Sequence, residues 1–349
     1  MKKLHLTILS GMLMAASHNA MALNAIELVD VIKTGNKKGD EIVSVNSASK
    51  QLALSNSKTG SVAVYSISDA SSPRLINTHS LSLADDEELT SVAMHPHYNY
   101  FLTAIQAASP TENGRVQIHD VTSGKLLATI LTGIGPDAVV IDSTGSYAMI
   151  PNEAESFIYH PEDKTFSSPE ATLTLLNLAE TAADIKDVQI ALPDFTGQAG
   201  FVASSDNRFL EREIDWNGDG KITEEDVDLD GNGTISENKM TVGTFRGKDV
   251  KVEEEDGELF MFPIVDNNPD LLEPEYAVFS KDGSKVWIVM QENNGVVVVD
   301  TASAKIIQQF GLGTTTHKAD LDDNQNVSFT DFLTALREPD GIAVTLDGK

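Results

Sequence analysis

The run DWNGDGKITEEDVDLDGNGTISE, from Asp215 to Glu237, sets oxygen-bearing side chains at alternate positions between glycines. That pattern suits a hard cation. Calcium takes about six to eight oxygen ligands, and a short loop supplies them only if ligands alternate and a glycine makes the turn. Asp215, Asn217, Asp219, Thr223 and Asp226 fall at the first, third, fifth, ninth and twelfth positions of such a loop. Gly220 stands at the turn, Lys221 offers its carbonyl at the seventh position, and Ile222 is the apolar anchor. A second loop starts 13 residues later, with Asp228, Asp230, Asn232, Thr234 and Ser236 in the same register. Lys239 stands where its last acid belongs, so this loop is expected to bind more weakly or to borrow Glu237.

The spacing leaves no room for the helices of a paired EF-hand. Tandem Asp-rich loops, as in dockerins or thrombospondin type 3 repeats, are the closer comparison. A third candidate is DLDDNQNVSFTDF, where Asp320, Asp322, Asn324, Asn326, Ser328 and Asp331 fill the ligand positions. Gln325 replaces the turn glycine there, and the following FTDFLTALRE is read as an exit helix. The competing explanation for all three is a solvated acidic loop. Three matches with the apolar anchor in place favour metal, so Ca²⁺ is the expected cofactor.

A second set of acids is more dispersed. Asp137, Glu275 and Asp340 each follow a proline at the start of an apolar run, and Glu153 and Glu292 recur at a later turn. If those runs are arranged in a ring, equivalent positions meet near the mouth of a central channel. There the acids would hold a metal or a cationic ligand; equally, they would serve as hydrogen-bonded turn residues. His95 and His97 are read as a surface turn, since no third metal ligand lies nearby. The chain has no G-x-S-x-G, H-E-x-x-H or P-loop pattern, so no catalytic residue is assigned.

The elements that must carry these residues are strands. The apolar residues cluster in runs such as SVAVYSI, RVQIHDV and GVVVVDT, with the length and β-branched content of strands. Units starting at Ile42, Thr90, Pro136, Pro274 and Pro339 share a template: strand, polar turn, strand, a third strand ending in Asp, a TSGK-like turn and a fourth strand. Thr90 to Pro136 is a period of 46 residues. Four strands in about 40–50 residues is the signature of a β-propeller blade, and a β-sandwich would not repeat in this phase. The fold expected is all-β, a propeller of four-stranded blades with Asp-rich inserts at about 206–258 and 314–338. Ala25–Gly35 is read as a lone fourth strand, and 179–270 as long loops on a fourth blade. The unit at Pro339 stops one strand in, so the chain is expected to be truncated, the full ring having about seven blades.

Composition narrows the partners. The net charge is −28 and there is no cysteine. Nucleic acid and anionic membranes both call for Lys/Arg patches, so this balance argues against them and favours cations. Residues 1–22 carry Lys2 and Lys3, an apolar stretch too short to span a bilayer, and Ala20-Met21-Ala22, in the order of a signal peptide. The mature propeller domain is expected to occupy 23–349, exported to the periplasm, cell surface or medium, with no membrane span.

LLEPEYAVFSKDGSKVWIVMQENNGVVVVDTASAKIIQQFGLG, followed by EPDGIAVTLDGK, resembles the choice-of-anchor I family of exported bacterial propellers. The match is specific over Leu271–Lys349 and only generic propeller over Ile42–Gly133. The resemblance implies an exported propeller; the calcium loops rest on spacing alone. Some relatives are labelled alkaline-phosphatase-like, and similarity to calcium-dependent phytase-like propellers is sometimes implied. The expected function is thus a calcium-binding surface-interaction module with a cell-surface or extracellular ligand. The alternative is a calcium-dependent phosphoric-ester hydrolase.

Overall fold

A computed structural model describes residues 28–36, 39–109, 111–154, 157–160, 165–167, 169–193, 209–210, 214–215, 242–245, 248–255, 258–263, 272–291, 293–319, 329 and 331–345. Asp40–Asn46 (β1), Gln51–Asn56 (β2), Ser61–Ser66 (β3) and Arg74–Ser80 (β4) pair antiparallel in chain order as blade 1. Glu88–Met94 (β5), Tyr100–Gln106 (β6), Asn113–Asp120 (β7) and Leu126–Ile134 (β8) form blade 2 in the same way. Blade 3 starts with Val140–Ile141 (β9) and Tyr147–Asn152 (β10). Its chain then leaves as the hairpin Phe157–His160 (β11) and Thr165–Ser167 (β12) and returns as Thr172–Asn177 (β13) and Lys186–Ala191 (β14).

Five short strands follow: Phe209–Leu210 (β15), Ile214–Asp215 (β16), Val242–Phe245 (β17), Lys248–Glu255 (β18) and Glu258–Pro263 (β19). Pro274–Phe279 (β20), Lys285–Met290 (β21), Gly295–Asp300 (β22) and Lys305–Gly311 (β23) make blade 4. Thr314–Ala319 (β24) and Asp331–Leu336 (β25) then form a separate hairpin. Among the described residues the helical segments are two single 3₁₀ turns, and no helix is long and apolar enough to cross a membrane.

The cores lie between blades, which is why the strands read apolar on both sides. Successive side chains of a strand point to opposite faces. In β6, Phe101 and Ile105 pack with Ala53, Val62 and Val64 of blade 1. Tyr100, Leu102 and Ala104 turn the other way, onto Val139, Ala148 and Ile150 of blade 3. Met149 sits between those last two in sequence and joins Leu173 and Leu175 against Ala277, Ile288 and Val297 of blade 4. Sheets stacked face to face in chain order, their first strands side by side, are the β-propeller arrangement. The third strands of blades 2 and 4 end at Asp120 and Asp300 as expected, and each acid accepts the N–H and hydroxyl of a serine three residues on.

Four expectations are corrected. Blade 3 packs directly onto blade 4, so 179–270 supplies no blade between them. The β11–β12 excursion delays the last two strands of blade 3 to 172–191, which hid its completion in the sequence; β15, β19, β18 and β17 form a sheet of their own. Leu28–Asn36 is not a strand: it pairs with none of the described sheets, and Leu28 is 77% exposed. Residues 339–345 likewise carry no strand pairing. Finally, FTDFLTALRE gives no exit helix. Asp331–Leu336 is β25, paired from Thr314↔Leu336 to Ala319↔Asp331. The three threonines of β24 favour an extended edge, and a short apolar segment offered that edge pairs with it rather than coiling.

Candidate functional site at the channel mouth

The blades can be superimposed position by position through the turn joining their first two strands. His95 N–H donates to Tyr100 O, Asp142 N–H to Tyr147 O and Ser280 N–H to Lys285 O; in blade 1, Asn46 pairs with Gln51. Five residues before each turn stand Glu41, Thr90, Asp137 and Glu275; six residues after it stand Ser57, Gln106, Glu153 and Gln291. The first set lies on the innermost strands or the segments leading into them. The second lies at the end of the second strands, where the chain turns away from the ring.

Blade 3 is the one blade of the four with an acid at both positions. Gly135 adopts a left-handed φ of 60°, which lets the chain bend back so that Pro136 bridges Asn152 and Glu153 N–H donates to Gly135 O at 2.8 Å. This holds Asp137 and Glu153 side by side, and blade 4 contributes Glu275. One carboxylate oxygen from each of the three lies within 4.8 Å of the other two, and all three side chains are half-buried. Around them, Glu41, Glu88, Thr90 and Gln106 line a cavity of about 230 Å³ with Asp137 and Glu153. A larger space of about 550 Å³ runs from Asp137 and Glu275 along the inner strands, past Val43, Val92 and Val139, to Asp142. Among the described residues, neither cavity is lined by a Lys or Arg.

Electrostatics separates this acid cluster from the turn acids. Hydroxyls of Ser280 and Ser284 hold the Asp282 carboxyl down at about 2, and Ser123 and Ser303 hold Asp120 and Asp300 below the usual range. Asp137 goes the other way, pushed up to about 6 by burial, then by the charges of Glu275 and Glu88. Hydrogen bonds to the charged form lower a carboxyl pKa, while burial and like charge raise it. Among the described residues no hydrogen-bond donor reaches the Asp137 carboxylate, so it is not a hydrogen-bonded turn acid. As placed, the cluster favours a proton or a cation.

Of the five acids singled out in the sequence, Asp137, Glu153 and Glu275 come together. Asp340 does not join them: it is exposed and accepts the Gln291 amide N–H at 2.7 Å. Glu292 lies outside the described residues. Sequence reasoning missed Glu41, Glu88, Thr90 and Gln106, because only blades 3 and 4 carry the proline that flagged the position. Glu41 is recoverable only by counting back from the turn, and it accepts the Ser57 hydroxyl at 2.9 Å.

Asp215 ends β16, which pairs in parallel with β11 of the hairpin leaving blade 3, Ile158 opposite Asp215. Asn217, Asp219, Lys221, Thr223, Asp226, Asp228, Asp230, Asn232, Thr234 and Ser236 lie outside the described residues, as do Asp320, Asp322, Asn324, Asn326 and Ser328. Asp331 opens β25. His95 is not at the surface: it is 1% exposed, whereas His97 is exposed.

The fold defines a β-propeller, and Asp137, Glu153 and Glu275 form an acid cluster between its third and fourth blades. The chain belongs to the choice-of-anchor I family, whose domain matches residues 41–349. No curated protein is similar to it in sequence. Among solved structures, it is similar to a functionally unknown protein from Desulfotomaculum acetoxidans DSM 771, at 13% identity, covering 81% of this chain and 72% of that one with a TM-score of 0.34. A protein from Lactobacillus plantarum is similar at 13% identity, 78% and 72% coverage and a TM-score of 0.35. Kuenenia stuttgartiensis hydrazine synthase is similar at 12%, 79% and 76%, with a TM-score of 0.33. Membership of the family points to a surface-anchored or exported bacterial protein acting as a binding module.

Proposed function

We propose that this propeller is an exported, calcium-binding interaction module whose channel mouth takes a divalent cation at Asp137, Glu153 and Glu275. The observation that carries the reading is the meeting of three carboxylates from two blades, one of them pushed toward neutrality, with no basic residue among the described residues lining the space around them. A hard dication relieves the repulsion that a proton otherwise relieves, and Gln106 and water would supply further oxygens. The Asp-rich loop beginning at Asp215 is tethered to the same blade as Glu153, so calcium at the loop and at the mouth would act on one end of blade 3. Phosphoric-ester hydrolysis would call for basic side chains to clamp phosphate, and the described residues lining the two cavities include none.

Calorimetric titration of calcium into the wild type and Glu153→Gln tests the reading. Loss of one carboxylate ligand is expected to weaken one class of sites about tenfold or more and leave the loop sites unchanged. Identical isotherms would remove the channel-mouth site.

A further inference from the structure

His95 stands at the first turn of blade 2, where blades 1, 3 and 4 carry Asn46, Asp142 and Ser280. Each of those side chains caps its own turn. Asn46 accepts the Ser49 N–H at 2.9 Å, Asp142 the Ser146 and Tyr147 N–H groups at 2.7 Å, and Ser280 the Lys285 N–H at 3.0 Å. His95 does the same through Nδ1, which accepts the N–H of His97 at 3.1 Å and of Tyr98 at 2.8 Å. Two inward-pointing donors fix Nδ1 as the unprotonated nitrogen, so the proton sits on Nε2. Nε2–H donates to Gly145 O of blade 3 at 2.9 Å, and the backbone oxygen of His95 accepts the Asn46 amide of blade 1 at 2.7 Å. One residue therefore ties the turns of three blades. The ring lies hard against Gly145, where a Cβ would come within 2.6 Å of its Cε1.

We propose that His95 is a pH-sensitive pin, which locks the turns of blades 2 and 3 together while neutral and frees them when it takes up a proton in mild acid. An imidazolium must place its second proton on Nδ1, against two N–H groups. The one carboxylate that faces the ring gives it only weak support. The facing groups from its own turn are His97, Tyr98 and Tyr100; from blade 1, the neutral Asn46; from blade 3, Asp142, whose carboxylate is already occupied by Thr144, Ser146 and Tyr147. Burial holds the imidazole below its ordinary 6.5; the Gly145 carbonyl and the Asp142 charge oppose that, and His97 adds to it. The closed turn thus excludes a proton that the open turn accepts. The open population should rise about tenfold per pH unit below the ordinary value, until the closed form itself titrates. The seam between blades 3 and 4 is joined instead by the Ser143 hydroxyl donating to Lys281 O, which has no titrating partner.

Amide hydrogen exchange of the full chain tests this, comparing wild type with His95→Asn between about pH 7.5 and 5. Asparagine there caps the turn as Asn46 does and does not titrate. The expected result is a steep loss of protection at His97 and Tyr98 in the wild type after correction for intrinsic rates, a flat response in the variant, and no change at the blade 3–4 seam in either. In the wild type, ring nitrogen shifts should show the Nε2–H form and titration below 6.5. Equal pH slopes in the two chains, equal opening of the 3–4 seam, or a ring that titrates at 6.5 or above overturns the proposal.

Discussion

Gln291 donates an amide N–H to Asp340 at 2.7 Å, and the same position one blade earlier holds Glu153, which faces Glu275 instead. The propeller's own repeat thus supplies both versions of one contact, an amide satisfying an acid and an acid opposing an acid. Glu153→Gln should convert the second into the first. Without calcium at neutral pH the variant should be more stable, by about 1 kcal/mol, the worth of one such hydrogen bond. Its melting temperature should also respond less to calcium than the wild type's. Chemical denaturation with chelator and with calcium measures both effects.

The pH dependence of the mouth follows from Asp137, pushed up to about 6 from an ordinary 3.8. Between those values the folded chain keeps a proton that the unfolded chain has released. Its contribution to stability is therefore fully present below the lower value, falls as pH rises through the window, and is gone at neutrality. Calcium should restore stability at pH 7 and have little effect at this site near pH 4, where a proton already occupies the acid. Asp137→Asn should flatten the profile. Thermal melts across pH, with and without calcium, check the sign.

The glycine between β7 and β8 should prove indispensable. Gly124 has a φ of 70°, and a Cβ there would lie 2.2 Å from Nδ1 of the buried His79, whose Nε2 contacts Val121 O of blade 2 at 2.9 Å. Gly124→Ala is expected to destabilise the chain by about 2 kcal/mol or more, from left-handed strain and overpacking together. Gly313→Ala shares the strain, with φ 70°, but meets nothing within 4 Å, and should cost less. Denaturant midpoints of the two variants separate the terms.

The Asp-rich run makes a prediction that depends on spacing alone. Asp219→Ala removes a carboxylate ligand from the first loop and should weaken one calcium-binding event without changing the response assigned to Glu153. Calorimetry of the single and double variants should show additive losses, as expected for separate sites.

Export is checked by mass spectrometry of the secreted chain, which should begin at Leu23. A mature protein retaining Met1 would exclude cleavage after Ala22.

Much of the fold was legible because blade strands bury both faces, and their Val- and Ile-rich runs repeat in phase with the turns. The acid cluster was legible for a related reason: Pro136-Asp137 and Pro274-Glu275 mark one position in two blades. What stayed hidden depends on pairing across space. Asp331–Leu336 became a strand because Thr314–Ala319 lay beside it, whereas Leu28–Asn36 pairs with no described strand. The direct packing of blade 3 on blade 4 was masked by the long segment between them. The burial of His95 was hidden because its role comes from Gly145 and Asn46, each about 50 residues away.

The alternation in β6 has a consequence for how such a chain can vary. Odd-numbered positions from Phe101 to Ile105 answer to blade 1, and even-numbered positions from Tyr100 to Ala104 answer to blade 3. A substitution at one parity can be compensated only from one neighbour. The strand is thus two interleaved texts, each edited with a different partner, and a lineage can rework one seam of the ring while leaving the next untouched.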